Sequence, residues 1–128
     1  MLSSDNTQHS PGLDAKTQLR VALKLMHLWS LDNRQANRTL GLHGDDANDL
    51  AALRTGESSK GLSPERLSHL LTIHKLLKSL YPQPEVCYSW MKKPNGAFEG
   101  LSPVDVIDRF EIRGVLMVRT YLERALHH

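Results

Sequence analysis

Apolar residues recur along most of this chain at intervals of three and four, the spacing that places them on one face of an α-helix. The first clear stripe lies in residues 15–31 and consists of Leu19, Ala22, Leu23, Met26 and Trp29. The longest lies in residues 64–81 and consists of Leu67, Leu70, Leu71, His74, Leu77 and Tyr81. No alternating apolar run next to a tight turn indicates a β-hairpin. The pattern predicts an all-α protein of about seven helices, with residues 64–81 as the central hub helix.

Capping residues mark the ends of the shorter predicted helices. Asp32 or Asn33 is suited to begin a second helix, and Gly41 is suited to end it in the left-handed conformation. A third short helix is predicted at about residues 45–55. The remaining predicted helices cover residues 84–92, 103–110 and 112–126. The apolar positions assigned to the last of them are Ile112, Val115, Leu116, Leu122 and Leu126.

Residues 90–107 contain more turn-forming and helix-capping residues than an ordinary surface loop. Pro94 ends the preceding helix, and Asn95-Gly96 supplies two residues that tolerate positive φ. Ser102 is a good N-cap, and Pro103 suits the first helical position, where its missing N–H is not needed. Together with Gly100 these residues predict a rigid loop between two helices.

Two aromatic residues flank this loop, and each has two possible roles. Trp90 and Phe98 can seat the loop on the hydrophobic core, or they can anchor a binding partner. Burial in the core is the favoured role for Trp90. For Phe98 both roles remain open.

Composition narrows the protein class without identifying an activity. The chain has 128 residues, of which 40% are hydrophobic and 23% charged, as is ordinary for a globular protein of one compact domain or two small helical modules. It contains neither an apolar run of about 18 residues nor an apolar N-terminus, so we predict no membrane span, no signal peptide and a cytoplasmic location. The single cysteine, Cys87, excludes an internal disulfide.

The N-terminal helices have the order of a helix-turn-helix, because two short helices are separated by the glycine-containing turn of residues 40–44. Cations available for contacts with DNA phosphates are Arg34, Arg38, Arg54 and Lys60. Three carboxylates lie in the segment that would enter the DNA groove, namely Asp45, Asp46 and Asp49, and they are unfavourable next to a polyanion. A formal net charge of +2 also does not indicate a nucleic-acid-binding protein by itself. Two interpretations remain: a DNA-binding domain, or the same arrangement kept as a packing scaffold.

The C-terminal half resembles the toxin-binding module of the Xre/MbcA/ParS-like antitoxins. The residues that carry the resemblance are Trp90, Pro94, Asn95, Phe98, Gly100, Ser102 and Pro103. With the preceding helices the resemblance extends from about residue 15 to the C-terminus. It implies an Xre-like helix-turn-helix in residues 14–62, a connecting helix in residues 63–81 and a toxin-binding domain in residues 82–128, after a disordered start in residues 1–13.

The resemblance also implies a function. Its members are antitoxins of bacterial type II toxin-antitoxin systems that bind and occlude the active site of a RES-type, NAD-consuming toxin and repress their own operon. We therefore expect a toxin partner, operator DNA as a further partner, and a homodimer. The alternative is a helix-turn-helix transcriptional regulator without a toxin, in which the C-terminal helices serve dimerisation.

Candidate contact residues for the toxin lie in the loop and on the last helix. They combine cations with aromatic rings: Phe98, Arg113, Arg119, Tyr121 and Arg124. The alternative for the last helix is an ordinary solvated face. Catalytic, metal and cofactor sites are not predicted, since His69 and His74 are five residues apart on a helix and Asp45 and Asp46 point in different directions. The sequence favours a binding protein over an enzyme.

Overall fold

The computed structural model describes residues 14–42, residue 53 and residues 62–127. In these residues the chain forms six α-helices: α1 (Ala15–Leu28), α2 (Asn33–Leu40), α3 (Pro64–Leu80), α4 (Pro84–Ser89), α5 (Pro103–Phe110) and α6 (Ile112–Leu126). Two short 3-10 turns, Trp90–Lys92 and Gly96–Phe98, lie between α4 and α5. The described residues contain no β-strand, and the predicted all-α fold is confirmed. Of the helix predicted at residues 45–55 only Leu53 is described, as a buried helical residue, and the predicted disordered start lies outside the described residues.

The first helix is shorter than its apolar stripe predicted. Asp14 caps it by accepting a hydrogen bond from the Thr17 N–H at 2.7 Å. At the other end the chain leaves the helix because Ser30 adopts a left-handed conformation, with φ of 58°. The Leu31 N–H then donates to the Met26 carbonyl at 3.0 Å, a bond typical of helices that end in a left-handed residue. Trp29 nevertheless remains in the core and is fully buried.

The second helix has the two caps that its sequence indicated. Between the two candidate N-caps the structure uses Asp32, whose side chain accepts from the Gln35 N–H while the Gln35 side chain accepts from the Asp32 N–H. This reciprocal pair is a capping box. At the C-terminal end Gly41 has φ of 90°, as expected for a residue that ends a helix in the left-handed conformation.

Helix α3 is the centre of the described structure and packs against α1, α4 and α6. Its inward residues Leu70, Ile73 and Leu77 are completely buried. Helix α5 packs on α6 and also contacts α2, so the N-terminal helices touch the C-terminal ones directly. Helix α3 thus contacts helices that precede it and helices that follow it in the chain.

A buried arginine joins α2 to α3. The Arg66 side chain donates from Nε to the Thr39 carbonyl at 2.9 Å and from Nη2 to the Arg38 carbonyl at 2.8 Å. Both acceptors are carbonyls in the last turn of α2, where the Arg38 carbonyl also accepts from the Gly41 N–H at 3.1 Å and where a cation is favoured by the helix dipole. Burial lowers the pKa of Arg66, and the charge of Glu111 opposes that effect. The guanidinium therefore acts as the C-terminal cap of α2.

Two further properties follow from the helices in the described ranges. None of them combines the length and apolarity needed to cross a lipid bilayer. No group of three or more histidine, cysteine or acidic side chains in these ranges is placed to hold a metal ion.

Candidate functional site

The loop between α4 and α5 is organised around Asn95. Its side-chain oxygen accepts from the Ala97 N–H at 2.8 Å, and its carbonyl accepts from the N–H groups of Phe98 and Gly100, each at 3.0 Å. Its own N–H donates to the Leu101 carbonyl at 3.1 Å. Four hydrogen bonds from one residue close the segment into a compact turn, in agreement with the predicted rigid loop.

The backbone of this loop differs from the prediction in one respect. Asn95 is extended, with φ of −133°, and uses its side chain to cap the turn that begins at Gly96. The left-handed residues lie further on, at Glu99 with φ of 57° and Gly100 with φ of 89°. Asn95 and Gly96, which tolerate positive φ, therefore do not adopt it here. Asparagine is suited to both roles, so the sequence alone did not decide between them.

The predicted start of α5 is present. Ser102 is buried, and its hydroxyl accepts from the Asp105 N–H at 3.1 Å, with Pro103 in the first helical turn. Lys93 before Pro94 is extended, with ψ of 137°, as a residue preceding proline favours. The loop consequently enters α5 in a defined direction.

A row of aromatic rings fixes the loop to the last helix. The Trp90 ring stacks between Tyr81 of α3, at a centroid distance of 6.4 Å, and Tyr121 of α6, at 6.1 Å. Phe98 meets Tyr121 edge to face at 5.4 Å. These distances lie in the favourable range for aromatic pairs. Trp90 is thus packed in the middle of the row, and Phe98, with 9% of its surface exposed, is at its outer end.

Helix α6 has two apolar faces, of which only one is buried. The buried face consists of Gly114, Val115, Val118 and Leu122 and lies against α3 and α5. Of the apolar positions named for this helix, Val115 and Leu122 are buried, whereas Ile112, Leu116 and Leu126 remain about 40% exposed. Met117, which the stripe omitted, is the most exposed large apolar residue described, at 43%.

An open groove of about 410 Å³ runs along the exposed face of α6. The loop residues Ala97 and Phe98 form one side. The α6 residues that line it are Arg113, Leu116, Met117, Thr120, Tyr121 and Arg124. Of the five predicted toxin contacts, four therefore lie at one groove: Phe98, Arg113, Tyr121 and Arg124. We call this surface, from Ala97 to Arg124, the α6 groove.

The fifth predicted contact, Arg119, lies elsewhere. Its guanidinium contacts Nδ1 of His69 on α3 at 2.8 Å and the Glu123 carboxylate at 3.1 Å. It does not line the α6 groove. In this position Arg119 joins α6 to α3.

Sequence reasoning missed the apolar lining of the groove, although a signal for it was present. Residues 112–126 contain more large apolar side chains than a single buried face of a helix can hold. Four of them are consecutive, Val115, Leu116, Met117 and Val118, and consecutive helical residues point in different directions. Such an excess indicates a second apolar face, which here is Leu116 and Met117.

The candidate DNA contacts are spread over described and undescribed parts of the chain. Arg38 forms an ion pair with Asp108 of α5, with Nη1 and Oδ1 3.4 Å apart, and Arg34 is exposed on α2. Arg54 and Lys60, like Asp45, Asp46 and Asp49, lie outside the described residues. The two candidates that the structure describes, Arg34 and Arg38, therefore both lie on α2, and Arg38 also contacts α5.

Two titratable side chains are withdrawn from water near α4. Burial, with a smaller effect of Lys78, lowers the pKa of His74, which stacks on Tyr88 at 6.1 Å. Burial raises the pKa of the Cys87 thiol. A protonated thiol is a poor nucleophile, so Cys87 contributes apolar packing to the core.

Comparison with known proteins finds a family model that matches this part of the chain. Residues 76–127 match the family model of the antitoxin Xre/MbcA/ParS C-terminal toxin-binding domain. The match covers α4, α5, α6 and the Asn95 loop, and it confirms the resemblance seen in the sequence for this segment. Over a longer range, the uncharacterized protein y4oB of Sinorhizobium fredii is 27% identical across 117 residues, which are 89% of this chain and 90% of that protein.

Proposed function

We propose that the chain is the antitoxin of a bacterial type II toxin-antitoxin pair and that it binds a RES-type, NAD-consuming toxin and occludes its active site. The match of residues 76–127 to a toxin-binding domain supports the antitoxin role and a toxin as partner. The RES class, the NAD chemistry and the occlusion are the finer part of the proposal and rest on the resemblance described above. In this role the chain acts by binding and catalyses no reaction.

The observation that carries the proposal is the α6 groove. Six large apolar residues of the described ranges are exposed, and five of them lie on α6 or directly before it: Phe110, Ile112, Leu116, Met117 and Leu126. Two of them, Leu116 and Met117, line the groove together with Arg113 and Arg124, and exposed apolar side chains bordered by cations are typical of a protein-binding surface. The match to a toxin-binding domain supports a toxin as the partner of this surface.

Rigidity of the groove favours tight binding. The buried face of α6 is packed against α3 and α5, and the loop side is held by the aromatic row and by the hydrogen bonds of Asn95. A surface that is already ordered loses little conformational entropy when its partner docks. We therefore expect α6 and the Asn95 loop to enter the complex as one unit.

The test is co-expression with the protein encoded by the adjacent gene. Wild-type chain should restore growth and cellular NAD and should co-purify with that protein. Met117→Asp places a charge in the α6 groove and should abolish both effects. The matched control is Val86→Asp, because Val86 is 40% exposed on α4 and does not line the groove. Full neutralisation by Met117→Asp, or no toxic neighbour to neutralise, contradicts the proposal.

Repression of the operon by a homodimer is a second part of the proposed function. It is supported by the two N-terminal helices, whose second member is capped at both ends and followed by left-handed Gly41, as in a helix-turn-helix. Titration of the chain against its own promoter at two salt concentrations tests it, since phosphate contacts make binding salt-dependent. Promoter binding without any toxin neutralisation would favour the alternative, a transcriptional regulator whose C-terminal helices serve dimerisation.

A further inference from the structure

The α6 groove has a distinctive arrangement of charge. Arg113 and Arg124 both line it, and eleven residues separate them along α6. A step of eleven helical residues is just over three full turns, so the two side chains leave the same face, about 16 Å apart along the axis. Met117 and Thr120 lie between them on that face. The groove therefore has a cation at each end and an apolar middle.

Neither of these arginines is neutralised within the described part of the chain. No ion pair joins Arg113 or Arg124 to a described carboxylate, and no acidic residue lines the groove. The acidic residue nearest in sequence to Arg124, Glu123, is paired with Arg119 instead. Two exposed guanidinium groups beside apolar surface leave the groove positive, with no counter-charge among the residues that the structure describes.

We propose that the α6 groove binds an amphipathic segment of the toxin that offers apolar side chains to Leu116 and Met117 and a carboxylate to each of Arg113 and Arg124. This inference rests on the proposed antitoxin function and adds the chemistry of the partner's surface. Arginine is suited to the task because its planar guanidinium accepts a carboxylate in a two-point contact. A nucleic acid fits less well, since its phosphates would meet the exposed apolar side chains in the middle of the groove.

The spacing of the arginines restricts the segment that can dock. Carboxylates about 16 Å apart are eleven residues apart on a partner helix, or about five residues apart on an extended strand. The apolar side chains of the segment must lie between the two acids. A partner surface with only one acid, or with acids at other spacings, would engage one end of the groove.

The experiment measures the affinity of the purified chain for its toxin, the product of the adjacent gene, at about 50 and about 300 mM salt. The double variant Arg113→Glu with Arg124→Glu should weaken binding by at least about tenfold at low salt and reverse the salt dependence, because added salt then screens a repulsion instead of an attraction. The control Arg20→Glu with Lys24→Glu changes the net charge equally on exposed positions of α1 and should leave affinity unchanged. Thermal unfolding of each variant shows whether the fold is retained.

Reversing the charges of the contacting residues on the toxin completes the test. Changing the paired acids of the toxin to arginine should restore binding to the doubly reversed chain and weaken binding to the wild type. Unchanged affinity and salt dependence of the Arg113→Glu, Arg124→Glu variant would overturn this inference while the antitoxin function stands. Loss of the chain's own dimer in that variant, with toxin affinity unchanged, would assign the groove to a second copy and overturn it as well. Failure of the wild-type chain to bind or neutralise the toxin removes the proposed function itself.

Discussion

Single residues with unusual backbone angles mark the places where this fold changes direction. Three described residues other than glycine have positive φ: Ser30, Glu99 and Glu111. The first two lie in the left-handed region that follows a helical turn. Glu111 is different, because its φ of 56° is combined with ψ of −128°, a region occupied almost only by glycine. The sharp corner between α5 and α6 is therefore strained.

Relief of this strain is a prediction at the residue scale. We expect Glu111→Gly to be more stable than Glu111→Ala by about 1 kcal/mol, because only glycine adopts these angles without a steric penalty. The comparison with alanine removes the effect of the lost carboxylate, including its interaction with Arg66. Urea unfolding of both variants gives the difference. Equal stabilities would show that the corner is relaxed in the native chain.

The half-buried His74 predicts how the stability of the protein depends on pH. The folded state holds the pKa of His74 below its ordinary value, chiefly by burial, whereas the unfolded chain titrates near the ordinary histidine value of about 6.5. As pH falls below about 6.5, the unfolded state takes up protons that the folded state resists, so the free energy of unfolding decreases. His74 therefore costs no stability above about pH 6.5. Below that pH it lowers the free energy of unfolding progressively.

Substitution of His74 separates its contribution to the pH dependence of stability from that of the other histidines. His74→Phe keeps an aromatic ring next to Tyr88 and also removes Nδ1, a buried nitrogen without a hydrogen-bond partner among the described residues. The melting temperature of this variant should fall less between pH 7.5 and pH 5.5 than that of the wild type. His127→Gln, at an exposed position, is the control and should retain the wild-type dependence. A parallel decline in wild type and His74→Phe would assign the pH dependence to other groups.

At the scale of helices, the contact between α5 and α6 depends on a glycine. A Cβ atom at Gly114 would lie 2.8 Å from the Ile107 Cα and still closer to the Val106 carbonyl oxygen. Both are backbone atoms, so no side-chain rotation can make room. We expect Gly114→Ala to lower the free energy of unfolding by about 2 kcal/mol. Gly96→Ala is the matched control, since no atom lies within 4 Å of its Cβ position, and a loss of equal size there would contradict this explanation.

The link between α2 and α3 depends on the shape of one side chain. Arg66 satisfies two carbonyls at the end of α2, and lysine has a single nitrogen that cannot reproduce both bonds. Loss of one charge-assisted hydrogen bond from a buried acceptor predicts a cost of about 2 kcal/mol for Arg66→Lys. Arg20→Lys on the exposed side of α1 should be neutral. A neutral Arg66→Lys would mean that α2 is held by its apolar residues alone.

The sequence predicted the ends of these helices better than their faces. Capping is local, so Asp32, Gly41 and Ser102 could be identified from their immediate neighbours. The orientation of α6 could not, because it depends on which of its two apolar sides meets α3, which is separated from it along the chain by α4, the Asn95 loop and α5. The same limit applies to the candidate site. Arg113 and Arg119 look alike in sequence, and only the fold shows that one lines the groove and the other contacts His69.

At the scale of the whole molecule, the boundary predicted at residues 81 and 82 separates helices that share one core. The matched domain begins inside α3, and α6 buries Val115, Val118 and Leu122 against the α3 side that carries Leu70, Ile73 and Leu77. A toxin-binding domain that started at residue 82 would leave this face of α6 in water. We therefore expect most of α3 to be needed for α6 to fold into this arrangement.

Truncation makes this dependence measurable. A fragment of residues 62–128 keeps α3 together with α4, α5 and α6, and we expect it to unfold cooperatively, at a lower temperature than the full chain because it lacks the contacts of α1 and α2. A fragment of residues 82–128 should show little helix and no cooperative transition, since short helices are marginal without tertiary packing. Circular dichroism during thermal unfolding distinguishes the two. Cooperative folding of residues 82–128 would show instead that the toxin-binding module is independent of the hub helix, and that the aromatic contact between Tyr81 and Trp90 is dispensable.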